Sequence, residues 1–79
     1  MKQKFKNITY DTNTAKYIGT KSVGEFGVTD GYEEKLFVTD DNNYFIYGIG
    51  GSDSIYSESE IRPITEKEAK EWKKDNDIE

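Results

Sequence analysis

Two reactive residue types are absent from this chain of 79 residues, which contains neither cysteine nor histidine. Without cysteine there is no disulfide to stabilise the fold and no thiolate nucleophile, and such a sequence suits a reducing cytoplasm. Without histidine the chain lacks the commonest general base and metal ligand, and its serines have no imidazole to activate them. We therefore expect a cytoplasmic protein that is not an enzyme and that holds no cofactor and no metal.

Apolar residues are also few, at 33% of the sequence, and proline occurs once. No apolar run approaches the ~18 residues of a membrane span, and the basic start at residues 1–6 lacks the apolar region of a signal peptide. A chain this short forms one domain over residues 1–79, and folding buries only roughly 60% of the surface of such a chain. The six tyrosines, four phenylalanines and single tryptophan must therefore fill most of a thin core.

Charge is distributed unevenly along the sequence. Between Val23 and Glu60 nine acidic side chains are opposed by a single basic one, Lys35, whereas the first 22 residues carry five lysines and one aspartate. The whole chain has a net charge of −5. A strongly acidic surface attracts a basic partner and repels nucleic acid, so we expect no direct nucleic-acid binding.

The pattern of apolar residues predicts several strands. Alternation favours a strand over residues 32–39, and an aromatic and β-branched run favours a central strand over residues 44–49. Between them, the sequence Asp-Asp-Asn-Asn at residues 40–43 is typical of a hairpin turn, and a second turn is expected at residues 11–14. Further strands are expected at residues 5–10, 15–23, 55–56 and 60–64.

One helix follows the strands. Thr65 and Glu68 have the spacing of a capping box at a helix N-terminus. Ala69 and Trp72 lie three residues apart on one face, so Trp72 is the predicted contact of the helix with the sheet. The predicted fold is therefore α+β: an antiparallel sheet of four to five strands with one C-terminal helix packed on it.

Two short segments resemble ligand-binding motifs. Gly48-Ile49-Gly50-Gly51 is similar to a phosphate loop, but no Lys-Ser/Thr pair follows it, so a strand-ending glycine turn is the favoured interpretation. The turn at residues 40–43 lacks the glycine and the bidentate glutamate of a calcium loop. Paired carboxylates can hydrolyse glycosides, so a small carbohydrate- or peptide-handling enzyme is a further hypothesis, which the small size of the domain disfavours.

The acidic residues have two interpretations. In the first they form a solvated surface that keeps the protein soluble. In the second, carboxylates on adjacent strands are spaced like backbone phosphates and compete with DNA or RNA for the basic groove of a protein. The four central carboxylates of this array are those of Glu33, Glu34, Asp40 and Asp41. The full set predicted to bind the partner adds Asp53, Glu58, Glu60 and Tyr44.

Several blocks of the sequence resemble a group of small uncharacterised proteins of Firmicutes. The blocks are Tyr10-Asp11-Thr12-x-Thr14-Ala15-Lys16 with Gly19, Tyr32-Glu33-Glu34-x-Leu36-Phe37, Tyr44-Phe45-Ile46-Tyr47-Gly48-x-Gly50-Gly51, Tyr56, and Ile64-Thr65-Glu66-x-Glu68-Ala69-Lys70-Glu71-Trp72. Together they span most of the chain. Members of the group occur mostly on phages, plasmids and integrative elements, and many are longer between the glycine loop and the helix. The group has no activity that carries over residue by residue.

The resemblance implies a context for the protein. Small acidic proteins of mobile elements often disable host defences, and many anti-CRISPR proteins occupy the DNA-binding surface of a nuclease, which is basic in Cas9-type enzymes. The leading hypothesis is therefore a non-enzymatic inhibitor of anti-CRISPR type, which acts in the bacterial host cell and blocks DNA access to a Cas9-type nuclease. The alternative is a structural or regulatory interaction module, such as a homodimer joined through an edge strand.

Overall fold

Six strands and one helix make up the part of the chain that the computed structural model describes, residues 2–24 and 29–76. The strands are β1 (Lys2–Phe5), β2 (Ile8–Asp11), β3 (Lys16–Val23), β4 (Tyr32–Val38), β5 (Tyr44–Gly50) and β6 (Glu60–Ile64), and the helix is α1 (Glu66–Asp75). Glu25, one of the acidic residues counted above, lies outside the described residues. The fold is α+β, as the sequence predicts.

Strands β3 to β6 form one antiparallel sheet in chain order, and β1 and β2 form a separate two-stranded sheet. The two strands with the strongest sequence signals, β4 and β5, occupy the centre of the larger sheet. Strand β6 is an outer strand, where Pro63, which has no N–H to donate, is tolerated. Because β5 begins at Tyr44 and lies between β4 and β6, the prediction of a central strand over residues 44–49 is confirmed.

The first hairpin differs from the sequence-based expectation. Instead of one strand over residues 5–10, a tight turn at Lys6 and Asn7 joins β1 to β2. Both turn residues have positive φ, 49° and 65°, which gives the twist that two-residue hairpin loops need. Lysine rarely adopts this conformation, so the sequence carries only a weak signal for the turn. The expected turn at residues 11–14 is present, with the Ala15 amide donating to the Asp11 carbonyl at 3.0 Å.

Both faces of the larger sheet are covered, because successive residues of β4 and β5 point to opposite sides. On one side the helix packs on the sheet through a cluster of Leu36, Ile46, Ala69 and Trp72. On the other side the β1–β2 hairpin contributes Tyr10 to a cluster with Phe37, Phe45 and Ile61. The rings of Phe37 and Phe45 are stacked, with centroids 5.2 Å apart. Aromatic residues therefore fill most of the layer on the hairpin side, whereas the layer on the helix side combines Trp72 with aliphatic residues.

The helix begins and packs as its sequence predicts. The Glu68 amide donates to the Thr65 hydroxyl, and the Thr65 amide donates to the Glu68 carboxylate, each at 3.1 Å. This capping box satisfies amide groups at the helix N-terminus that have no partner inside the helix. Trp72 is buried against the sheet. Both predictions for this helix are confirmed.

Candidate functional site

The acidic residues that the sequence singles out lie at two opposite ends of the sheet. Asp40 and Asp41 are exposed in the β4–β5 turn, where the Asn42 amide donates to the Thr39 carbonyl at 3.0 Å. The hairpin turn predicted at residues 40–43 is thus confirmed. Glu33 lies at the far end of β4, five residues from Val38, which is roughly 17 Å at about 3.4 Å per residue. The four central carboxylates do not form one continuous row.

Glu34 is buried and belongs to the helix side of the sheet. Neighbouring residues of a strand point to opposite faces, so Glu33 and Glu34 are separated by the sheet itself. Glu34 is only 5% exposed and lies opposite Gly48 of β5. The expectation that Glu34 is part of an exposed acidic surface is therefore wrong.

Four side chains surround the Glu34 carboxylate. The Tyr56 hydroxyl donates a hydrogen bond to it, and the Arg62 guanidinium lies 3.4 Å from the same oxygen. The Trp72 indole N–H donates to the other oxygen at 3.4 Å, and the Lys21 ammonium lies 3.9 Å away. A buried carboxylate is costly unless it is paired in this way. Glu34 therefore joins β3, β4, β6, the helix and the loop that follows β5.

Gly48 makes this arrangement possible. A Cβ atom at Gly48 would lie 2.2 Å from a carbon of the Tyr56 ring, far inside van der Waals contact. Only glycine leaves room for the ring to lie across β5 and reach Glu34. Gly48 and Gly50 are thus inside β5 rather than in a loop after it, which corrects that detail of the sequence-based interpretation.

Tyr56 is held as a hydrogen-bond donor. Burial raises the pKa of Tyr56 well above the usual value of a tyrosine, and its hydrogen bond to Glu34 and the negative charge of that carboxylate raise it further. The phenol therefore stays protonated at neutral pH and keeps donating to Glu34. Tyr56 is part of the core.

The loop after β5, residues 51–59, is attached to the segment that precedes β4. The Gly51 amide donates to the Gly31 carbonyl at 2.9 Å, and the Asp53 amide donates to the Thr29 carbonyl at 2.9 Å. The Thr29 hydroxyl also donates to the Asp53 carboxylate at 2.8 Å. These bonds bring two segments that are distant in sequence to the same end of the sheet.

Hydrogen bonds within the loop fix its middle. The Ser54 hydroxyl donates to the Gly51 carbonyl at 2.8 Å and accepts from the Tyr56 amide at 3.1 Å. Because the Tyr56 amide bonds to a side chain rather than to a neighbouring strand, the expected strand at residues 55–56 is absent, and that prediction is wrong. Ile55, between these two anchored residues, is 67% exposed.

We call residues 29–34 and 48–60 the acidic end of the sheet, because they contain no lysine or arginine. Besides the buried Glu34, this end carries five acidic residues, Asp30, Glu33, Asp53, Glu58 and Glu60, of which all but Glu33 are exposed. Lys21 and Arg62, on β3 and β6, pair with the buried Glu34 there. Of the residues predicted to bind a partner, Asp53, Glu58 and Glu60 lie at this end of the sheet and are exposed. Glu33 lies at the same end but on the opposite face from Glu60, because Glu60 is in register with Gly48 and Glu34. Asp30 and Ile55 were missed because their positions depend on the loop contacts.

The opposite end of the sheet has a mixed character. Tyr44 is half-buried there and packs against the core cluster on the helix side. It lines an open cavity of about 530 Å³ together with Lys16, Asp40 and Lys73. Tyr44, Asp40 and Asp41 are therefore separate from the acidic end, and Lys16 and Lys73 line the same cavity as Tyr44 and Asp40.

The described residues contain no group of three or more acidic side chains arranged to hold a metal ion. In the same part of the chain, no helix has the length and the apolar character to cross a membrane. Comparisons of the sequence with protein-family models and with curated proteins, and of the structure with solved structures, found no match.

Proposed function

We propose that this protein is a non-enzymatic inhibitor that binds a basic surface of another protein through the acidic end of its sheet. The observation that supports this proposal is the concentration of four exposed carboxylates, Asp30, Asp53, Glu58 and Glu60, in segments that contain no basic residue. The negative electrostatic potential of these carboxylates raises the association rate with a positively charged partner and repels nucleic acid. This surface takes the place of the continuous row of carboxylates that the sequence alone suggested.

The partner class that fits best is a protein that handles nucleic acid in the bacterial host cell. Its DNA- or RNA-binding groove is basic, and carboxylates on a fixed scaffold compete with phosphates for that groove. The resemblance to proteins of phages and other mobile elements favours a defence enzyme, so we propose a Cas9-type nuclease as the target. In this mechanism the inhibitor occupies the DNA-binding surface and no bond is made or broken.

DNA cleavage by a purified Cas9-type nuclease with its guide RNA tests this proposal. The protein is added in increasing amounts either before or after the target DNA. We expect cleavage to be inhibited when the protein is added first, and to recover when DNA is bound first or when salt is raised, because screening weakens the attraction between exposed charges. Undiminished cleavage at a large excess of the protein, across several such nucleases, contradicts the choice of target.

A second candidate is an interaction module that associates with itself. Strand β3 is an outer strand of eight residues, and outer strands can pair with another copy. A bulge between Tyr17 and Gly19, together with Lys16 and Lys21, gives this edge features that oppose such pairing. Size-exclusion chromatography with light scattering separates the two candidates, since a dimer that persists at high salt favours self-association and a monomer favours the inhibitor.

A further inference from the structure

We infer that Ile55 is the apolar anchor of the interface at the acidic end, and that the partner offers an apolar socket with a rim of lysine or arginine. This inference rests on the proposed function and adds to it the chemistry of the partner. An interface of charged residues alone gives association rate and orientation, whereas a buried apolar group slows dissociation. The 51–59 loop carries both kinds of group.

Ile55 has the highest exposed fraction of the large hydrophobic side chains among the described residues. Three large hydrophobic side chains are exposed among the described residues: Phe5 at 46%, Tyr17 at 54% and Ile55 at 67%. The Tyr17 ring packs edge-on against Phe37, and the Lys6 ammonium lies 5.5 Å from the centre of the Phe5 ring. Ile55 is therefore the most exposed of the three, and it is the one within the acidic end.

The backbone on either side of Ile55 is fixed. Ser54 is bonded to Gly51 through both its amide and its hydroxyl, at 3.1 and 2.8 Å. Tyr56 is buried and bonded to Glu34. A side chain presented by an ordered loop loses little conformational freedom on binding, and this is what makes a small apolar group an effective anchor.

The charges around Ile55 define the rim of the socket. Asp53 and Ile55 have Cα atoms at most roughly 8 Å apart, and Ile55 and Glu58 at most roughly 11 Å, from the 3.8 Å spacing of consecutive Cα atoms. A partner that buries Ile55 must therefore accommodate carboxylates beside it, and lysine or arginine does so. Anionic lipid headgroups would be repelled by the same carboxylates, which disfavours a membrane surface.

The two parts of the interface have separate kinetic signatures. Replacing Ile55 by serine removes apolar contact and should weaken binding by roughly 10- to 100-fold, through faster dissociation and with unchanged salt dependence. Reversing the charge of Glu58 and Glu60 should instead slow association and reduce the salt dependence. Tyr17→Ser is the matched control, since it removes an exposed apolar side chain away from the acidic end.

Site-specific photocrosslinking in the full-length protein tests the inference. A benzophenone amino acid replaces Ile55, Tyr17 or Asp41, and the three proteins are irradiated in a lysate of a Firmicute that carries a CRISPR system. The crosslinked protein is identified by mass spectrometry, purified, and its binding rates to the wild type, Ile55→Ser and Tyr17→Ser are measured. We expect crosslinks from position 55 to a basic protein, with only Ile55→Ser accelerating dissociation.

The other outcomes are distinguishable. Crosslinks from position 17 or 41 to a basic protein, but not from position 55, leave the proposed function in place and overturn the anchor. A crosslink from position 55 to a protein without a basic surface, with binding insensitive to salt, supports the anchor and contradicts the proposed function. A crosslink to a second copy of this chain overturns the inferred partner, and the absence of crosslinks from all three positions overturns both.

Discussion

Replacing Gly48 by alanine tests whether the contact between Tyr56 and Glu34 holds this fold together. The added Cβ would lie 2.2 to 2.5 Å from three carbons of the Tyr56 ring. The ring is rigid and buried, so it cannot yield without moving its hydroxyl away from Glu34. Alanine in a strand is otherwise favoured over glycine by about 0.5–1 kcal/mol. The clash with the Tyr56 ring therefore determines whether the substitution lowers or raises the free energy of unfolding.

The expected decrease in the free energy of unfolding of Gly48→Ala has two parts. A hydrogen bond to a charged group contributes roughly 1.5–3 kcal/mol, and forcing an extra carbon into a packed site costs roughly 1–3 kcal/mol. After the gain from alanine is subtracted, we expect the free energy of unfolding to fall by about 2–5 kcal/mol. For a domain of this size the loss corresponds to a decrease in Tm of at least about 8 °C.

Urea denaturation followed by Trp72 fluorescence and by far-UV circular dichroism measures this change. A double-mutant cycle supplies the control, because Gly48→Ala in a Tyr56→Leu background no longer meets a ring at that position. We expect Gly48→Ala to be close to neutral, or slightly stabilising, in that background. If Gly48→Ala is as stable as the wild type when Tyr56 is present, the assignment of Gly48 as the space for the ring is refuted.

Two further predictions concern the same buried cluster. Glu34→Gln should lower the free energy of unfolding by about 1.5–3 kcal/mol, since it weakens the hydrogen bonds from Tyr56 and Trp72. The control Glu33→Gln should stay within about 0.5 kcal/mol of the wild type. Equal effects of the two substitutions in urea denaturation would contradict the different placement of the two residues. The raised pKa of Tyr56 contributes stability that is complete below about pH 10, where tyrosine in an unfolded chain titrates, and that is lost as pH rises further. Tyr56→Phe should therefore lose stability less steeply than the wild type between about pH 10 and 11.5, and parallel pH profiles would show that the phenol does not contribute in this way.

Local signals account for most of the fold that the sequence predicts. The capping box at Thr65 and Glu68 depends only on neighbouring residues, and so does the turn at residues 40–43. The alternation in β4 identifies a strand by the same kind of short-range pattern. Each of these elements is present where the sequence places it.

The features that the sequence does not predict depend on distant residues. The local sequence predicts that Glu34 is exposed, because its burial requires Tyr56, 22 residues away, and Trp72, 38 residues away. The local sequence predicts that Gly48 ends a strand. The actual requirement for glycine arises only because the Tyr56 ring lies over this position. The pairing of Glu34 with Gly48 across β4 and β5 is the register that links the two, and no short pattern in either strand encodes it.

The candidate site follows the same division. The excess of acidic residues in the middle of the chain is visible in the sequence, but its arrangement in space is not. The contacts of the 51–59 loop with Thr29 and Gly31 gather some of those acids at one end of the sheet, and the β4–β5 turn places Asp40 and Asp41 at the other. Binding is therefore expected to depend on which acids are changed, and not on net charge alone.

The central claim, that the acidic end binds the partner, is tested most directly by two matched charge reversals. Glu58→Lys with Glu60→Lys changes the acidic end, and Asp40→Lys with Asp41→Lys changes the opposite end; each pair raises the net charge from −5 to −1. The measurement is the concentration of each protein that halves DNA cleavage by the nuclease. We predict that the first pair raises this concentration at least roughly tenfold, which corresponds to a loss of about 1.4 kcal/mol of binding free energy. The second pair should leave it nearly unchanged. Equal effects of the two pairs, or a larger effect of the second, would contradict the account.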